Sequence, residues 1–337
     1  MQVITGATGH VGNALVRELV ARGARVRAVV PETEDRSCLA GLDVEFRSGD
    51  VRNFESLCNA FADAAVVYHL AGIVSITGDR GGRLRAVNVT GTRNAVRAAL
   101  AAGVRRFVYT SSVHALPEPP CGVPLRETVQ FDPARVLGDY ARSKAEASRE
   151  VLEGVRAGLD AVLVFPSGII GPFDYRPSEM GQLLLDFCTG RLPAYVDGEY
   201  DFVDVRDVAR ALVAAAGRGR TGEGYLVSGH RITVRELLGA LRHLTGIRGP
   251  RLRLPLWVAQ AGVPFARAWC ALRHRRPLFT SYSLKVLRSN CLMDRSKAET
   301  ELGHRPRPIL ETIAAALEWF RTAGRLNLPA PPHPAAG

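Results

Sequence analysis

The sequence predicts an α/β fold, a doubly wound parallel sheet with a smaller C-terminal region. Three observations predict it. Short apolar runs of strand length alternate with helical stretches through the first half. Those runs are mostly apolar throughout, as expected of strands covered on both faces. A glycine-rich turn joins the first run to the first helix.

Strands are expected at Val3–Thr5, Val26–Val30, Val44–Arg47, Ala65–Leu70, Arg106–Ser111 and Ala161–Pro166. Between them, Gly12–Arg22, Asn53–Ala62, Val89–Ala102 and Gly138–Ala157 read as crossover helices. The second half has longer gaps and more proline and glycine. GIIGPFDYRPSEMG reads there as an ordered functional loop. RITVRELLGALRHL opens on Thr233 as a helix cap, and residues 309–322 form the last helix. This divides the chain into a nucleotide-binding unit over 1–165, to which 195–228 return, and a substrate-binding region over 166–194 and 229–325. The proline-rich end, 326–337, reads as a flexible tail.

A chain of 337 residues buries a large core. Its hydrophobic fraction of 47% and mean hydropathy of +0.01 are those of a soluble globular protein. No apolar run reaches the ~20 residues that span a bilayer. Met1 and Gln2 lead directly into strand-like VITGA, so a cytoplasmic location is expected. Six cysteines lie scattered without CxxC or metal-ligand spacing, so no metal is expected. Net charge is +11, nearly all of it arginine spread along the chain. No basic strip interleaves with aromatics, so nucleic acid is not the expected partner.

TGATGHVG follows the first strand and opens the first helix, with Gly6, Gly9 and Gly12 three apart. Glycine permits the tight turn and lets backbone approach a pyrophosphate, and the helix N-terminus offers N–H groups and a positive dipole end. The spacing is GxxGxxG, not the commoner GxGxxG, and alone it could be a plain strand–helix turn; at the first βα junction of a doubly wound sheet it makes a Rossmann-type dinucleotide fold the expected reading. After the second strand, VVPETEDR holds Glu32, Glu34 and Asp35, then Arg36. Acids there suit the ribose of NAD, and an arginine suits the 2′-phosphate of NADP. NAD is the expected cofactor, with NADP left open by Arg36.

Five further motifs appear in order: GDV (Gly49–Val51), YHLAG (Tyr68–Gly72), NVTGT (Asn88–Thr92), VYTSS (Val108–Ser112) and YARSK (Tyr140–Lys144). With the glycine loop, this set resembles the extended short-chain dehydrogenase/reductases, the NAD-dependent epimerase/dehydratase superfamily, from Val3 to about Phe320. GPFDYRPSEMG, FVDVRDVA and SKAETELGHRPRP are similar to the branch of dihydroflavonol reductase-like and 3β-hydroxysteroid dehydrogenase-like proteins. The resemblance implies that Gly6, Thr8, Gly9, His10, Val11 and Gly12 hold the pyrophosphate end. It implies that Asp50 and Val51 meet adenine, and that Leu70, Ala71 and Gly72 line the nucleotide. It further implies that Pro166, Ser167 and Gly168 lie near the nicotinamide. Ser112, Tyr140 and Lys144 align with the catalytic residues, Tyr140 and Lys144 also touching cofactor, and Asn88 supports them. A homodimer is likewise implied by the resemblance alone.

The chemistry explains why a chain with almost no lysine sets one four residues after a tyrosine. Hydride transfer at a carbinol needs a proton moved at the same centre. A free tyrosine, with pKa about 10, is a poor base at neutral pH, and a nearby ammonium favours its phenolate. Positions i and i+4 share one helix face. A serine can orient the substrate oxygen. His69 reads as a packed core histidine. His114 lies two after Ser112 and could face substrate. Asp204 and Asp207 read as residues that cap a helix or fix a turn.

Dehydratases of the superfamily place an acidic pair just after the serine position, where this chain has Val113 and His114. The expected activity is therefore NAD(P)-dependent interconversion of a secondary alcohol and a ketone on a hydrophobic small molecule, sterol-like or flavanol-like. A nucleotide-sugar epimerase with bound NAD is the alternative, and a nucleotide-sensing protein without turnover is the next. The apolar stretch Leu254–Leu272 ends in the basic run Arg273–Arg276. It could line a pocket, and it also raises contact with a membrane surface, against which a core helix with a solvated basic end is the simpler reading.

Overall fold

The computed structural model describes residues 1–75, 78–120, 122–262 and 290–327. The run at 273–276, most of the stretch at 254–272 and nearly all of the tail lie outside the described residues.

The main layer is a seven-stranded sheet, parallel throughout. Its strands are β1 (Gln2–Thr5), β2 (Val26–Val30), β3 (Val44–Ser48), β4 (Val66–His69), β5 (Arg106–Thr110), β6 (Ala161–Pro166) and, later in the chain, β10 (Gly224–Val227). They lie in the order β3-β2-β1-β4-β5-β6-β10. Ile4 pairs Ala28 on one side and Tyr68 on the other, so β1 sits at mid-sheet. The order reverses at β1, and in such sheets ligands bind outside the carboxyl ends of the strands at that reversal.

Period-two alternation divides the core. Val3 faces a core shared with α2 (Phe54–Phe61), α4 (Gly91–Ala101) and α5 (Asp139–Arg156). Ile4 faces the opposite core, shared with α1 (His10–Ala21) and α7 (Val205–Arg218). Between β4 and α4 lie one turn of α-helix, α3 (Arg83–Arg85), and a π-helical turn over Ala86–Thr90.

The smaller layers are a three-stranded sheet of β7 (Gly168–Ile170), β9 (Glu199–Asp204) and β11 (His230–Thr233), and a two-stranded pair of β8 (Ala194–Tyr195) and β12 (Leu252–Arg253). Helices α6 (Glu179–Cys188), α8 (Val234–Thr245) and α9 (Ile309–Thr322) pack a third core against the three-stranded sheet. Thr233 caps α8 in a reciprocal box with Glu236, as its sequence position predicts. Asp204 caps α7, accepting from the Arg206 N–H at 2.8 Å. Asp207, in the first turn of α7, does not cap the helix but holds the chain at Arg307. Its carboxylate accepts from the Arg307 N–H at 2.8 Å and from the Arg307 guanidinium. Among the described residues no helix is long and apolar enough to cross a membrane.

Candidate active site

The glycine loop turns between β1 and α1. Gly6 has φ +73°, and a Cβ there would stand 2.7 Å from the Ala71 nitrogen. A Cβ on Gly12 would stand 2.1 Å from the Gly6 oxygen. Gly9 is the N-cap of α1 and accepts from Asn13 N–H at 2.8 Å. The turn therefore closes only with glycine at Gly6 and Gly12, and no side chain caps the first helical turn. Such a bare helix start is what a pyrophosphate needs. Thr8 donates to Glu34 at 2.5 Å, and His10 Nε2 bonds the Pro172 carbonyl at 2.9 Å. Val11 packs against the α1 face of the core.

The strand ends bring the next residues alongside. Leu70 N–H donates to the Thr5 carbonyl, and Ala71 N–H reaches Thr5 Oγ1 at 3.4 Å. A Cβ on Gly72 would meet Asn88 Oδ1 at 3.3 Å and Lys144 Nζ at 3.6 Å, so those three positions adjoin. Asn88 is buried in the π-helical turn. Its amide accepts from Ile73 N–H at 2.8 Å and donates to the Ile73 carbonyl and Ser143 Oγ. It ties the segment after β4 to α5. Asp50 and Val51 follow β3, two strands from β1. The Asp50 carboxylate lies 2.5 Å from Arg52, whose hydrogen bonds hold it below its usual range. Val51 packs against Gly91. Pro166 ends β6, Ser167 N–H donates to the Val227 carbonyl at 3.1 Å, and Gly168 adjoins the Phe202 ring.

Tyr140 and Lys144 occupy the first two turns of α5. Lys144 is buried, and its ammonium donates to the Thr110 carbonyl at 2.7 Å and lies 4.9 Å from the Tyr109 ring centre. Burial pushes its pKa down to about 7. Ser112 caps a short 3₁₀ turn, Val113–Ala115, its Oγ accepting from His114 N–H at 3.3 Å. The His114 ring stands edge-on to Tyr140, with centroids 6.5 Å apart and planes at 70°. Burial lowers the His114 pKa. His69 is packed in the core, bonded to Thr5 and Thr92, with its pKa pushed down to about 3 by burial and then by Lys144.

Sequence reasoning did not find the Thr110 carbonyl that receives Lys144, because backbone acceptors carry no residue-type signal. It also missed Arg176, which meets Glu34 at 2.5 Å across 142 positions. Arg36, the expected 2′-phosphate candidate, lies with its guanidinium 5.5 Å from the centre of the Phe46 ring.

A glycine-cradled helix start at the strand reversal, beside a buried lysine one turn after a tyrosine, defines a nicotinamide-dependent enzyme of the short-chain type. The profile of the NAD dependent epimerase/dehydratase family matches residues 2–228, and the chain belongs to that family. It is an NAD(P)-dependent oxidoreductase of the extended short-chain dehydrogenase/reductase type. It is 41% identical to "Sterol demethylase protein B" of Methylococcus capsulatus over 96% of this chain and 99% of that one. It is 34% identical to a "Putative dihydroflavonol 4-reductase" of Synechocystis over 95% of this chain and 94% of that one. The crystal structure of gox2253 superposes with TM-score 0.85 at 34% identity, covering 97% and 99% of the two chains.

Proposed function

We propose that this chain interconverts a secondary alcohol and a ketone on a hydrophobic small molecule, sterol-like before flavanol-like, using Ser112, Tyr140 and Lys144. The observation that carries the reading is the buried Lys144 ammonium on the Thr110 carbonyl, one helical turn after Tyr140 and beside Gly72. The substrate class is drawn from the 41% relative, whose name is "Sterol demethylase protein B".

In the oxidative direction Tyr140 takes the carbinol proton, and in the reductive direction it returns one to the ketone oxygen. Lys144 stabilises the phenolate by its charge while that charge is present. The Ser112 oxygen already accepts from His114 N–H, which leaves its own O–H to donate to the substrate oxygen. Asn88 keeps the segment after β4 in register with α5. The nicotinamide, when bound, accepts or supplies the hydride. Gly6, Gly9 and Gly12 would hold its pyrophosphate.

The test is absorbance of reduced cofactor after adding NAD or NADP with a pooled panel of hydroxysteroids, flavanols and other secondary alcohols. Accumulation is expected from the hydroxysteroids. Tyr140→Phe should lose ~10²–10⁴-fold in kcat, the range of a general acid–base, while still binding dinucleotide. Full turnover in that variant would contradict the assigned mechanism. No accumulation across the panel would shift the reading to the epimerase activity in the family's name, tested next with nucleotide sugars.

A further inference from the structure

Residues 171–178, between β7 and α6, run from the glycine loop to α9. On the nucleotide side, the Pro172 carbonyl bonds His10 at 2.9 Å, the Phe173 ring lies 4.7 Å from the Arg17 guanidinium, and Tyr175 OH accepts from Arg17 at 3.1 Å. On the other side, the Tyr175 ring packs on Trp319 at 5.0 Å and its carbonyl accepts from Arg325 at 2.7 Å. Phe173 has φ +70°, a left-handed conformation that a bulky residue adopts only when its surroundings impose it. The backbone leading to Arg176 is thus fixed against the cofactor side.

Arg176 donates to Glu34 Oε1 at 2.5 Å, and Thr8 of the glycine loop donates to the same oxygen at 2.5 Å. Burial would raise the Glu34 pKa, but the bonds from Thr8 and Arg176 hold it below its usual range. Glu34 stands about 20 residues beyond the glycine loop, where dinucleotide sheets place an acid for the ribose 2′-OH or an arginine for a 2′-phosphate. Here an acid and an arginine meet at one point, and the arginine comes from the far half of the chain. The pair leaves Glu34 Oε2 for a ribose hydroxyl. A guanidinium has five N–H donors, and the bond to Glu34 engages one of them.

We propose that Arg176 is a cofactor-specificity residue: joined to Glu34, it neutralises the carboxylate that would repel a 2′-phosphate and offers that phosphate a charged donor, so the chain accepts NADP as well as NAD. This rests on the reading that Gly6, Gly9 and Gly12 cradle a nicotinamide dinucleotide.

The experiment is calorimetric titration of the full chain with NAD and with NADP, for the wild type, Arg176→Ala, Arg176→Lys and Glu34→Gln, each checked for folding by circular dichroism. Arg176→Ala should raise the Kd for NADP roughly tenfold or more, since a charge-assisted bond is lost and a carboxylate exposed. Its Kd for NAD should move less than about twofold, because Glu34 keeps its ribose acceptor. Arg176→Lys should fall between, keeping charge without the fork. Glu34→Gln should shift the ratio the opposite way, towards NADP. An NAD:NADP ratio unmoved by Arg176→Ala, or unmoved by Glu34→Gln, would overturn the proposal. A wild type that titrates neither dinucleotide would overturn the cofactor reading, and this proposal with it.

Discussion

Lys144 is the residue on which local sequence and tertiary setting meet. Its four-residue distance from Tyr140 is fixed by the helix, and its burial is fixed by the sheet: the ammonium reaches past α5 to the Thr110 carbonyl at the end of β5. Burial penalises its charged form, so its pKa falls from 10.5 to about 7. The folded state then binds fewer protons than the unfolded state between those two values, and folding stability rises with pH across that window. Below pH 7 the full cost of the buried charge is present, and above about 10.4 it vanishes. Lys144→Met should therefore stabilise the protein most at pH 6, with an advantage that shrinks steadily to pH 10. Thermal melts at pH 6, 8 and 10 test this, and an advantage that grows with pH would refute the buried-charge account. The pairing of Tyr140 with Lys144 was legible because four residues of helix are local information. The lysine's burial, on which its pKa depends, was not, because it is set by β5.

Two short elements shape the site more than the long ones do. The turn at Gly6–Gly12 is closed by backbone on both sides, so a side chain has no flexible neighbour to displace. Gly12→Ala would drive a methyl into the Gly6 carbonyl. It should cost about 1–3 kcal/mol, as overpacking does, and should abolish dinucleotide binding, read by urea denaturation and cofactor titration. Near-native affinity would show that the turn can open. The π-helical turn Ala86–Thr90 does the complementary job for Asn88, which satisfies both the N–H and the carbonyl of Ile73. Asn88→Ala leaves that backbone pair without its partner and should cost about 1–3 kcal/mol, measured in the same denaturation series. Unchanged stability would mean that another group takes Asn88's place. The alternation of apolar strands and amphipathic helices made the main sheet readable, since its periods lie within single elements. The π turn was not readable, because NVTGT has the spacing of an ordinary helix. β7, β9 and β11 were not readable either. They are three to six residues long, and β7 pairs β9 in parallel across more than thirty positions.

At the scale of the molecule, the start of α7 and the segment leading into α9 are joined through an ionic cluster. Asp204 and Asp207 open α7, and both are buried. Arg206 holds Asp204 at 2.6 Å. Arg307, just ahead of α9, holds Asp207 through its backbone N–H and its guanidinium and stands 3.8 Å from Asp204. Burial raises the Asp207 pKa against the pull of Arg307, whereas for Asp204 the bonds from Arg206 outweigh burial and the pKa falls. FVDVRDVA and GHRPRP were visible as motifs, but their meeting spans 100 positions and no local pattern encodes it. Arg307→Met would leave the buried Asp207 carboxylate with only the exposed Arg210 guanidinium, at 4.0 Å, as a cation partner. Breaking such a pair costs ~3–5 kcal/mol, so a loss of that size is expected at pH 7 by urea denaturation. Adding Asp207→Asn should recover part of it, since the second change removes the buried charge. The single variant's deficit should also shrink between pH 7 and pH 5, because acid lets the stranded carboxyl take a proton and sheds the cost of its charge. A deficit that is constant with pH and indifferent to Asp207→Asn would make Arg307 a packing residue only.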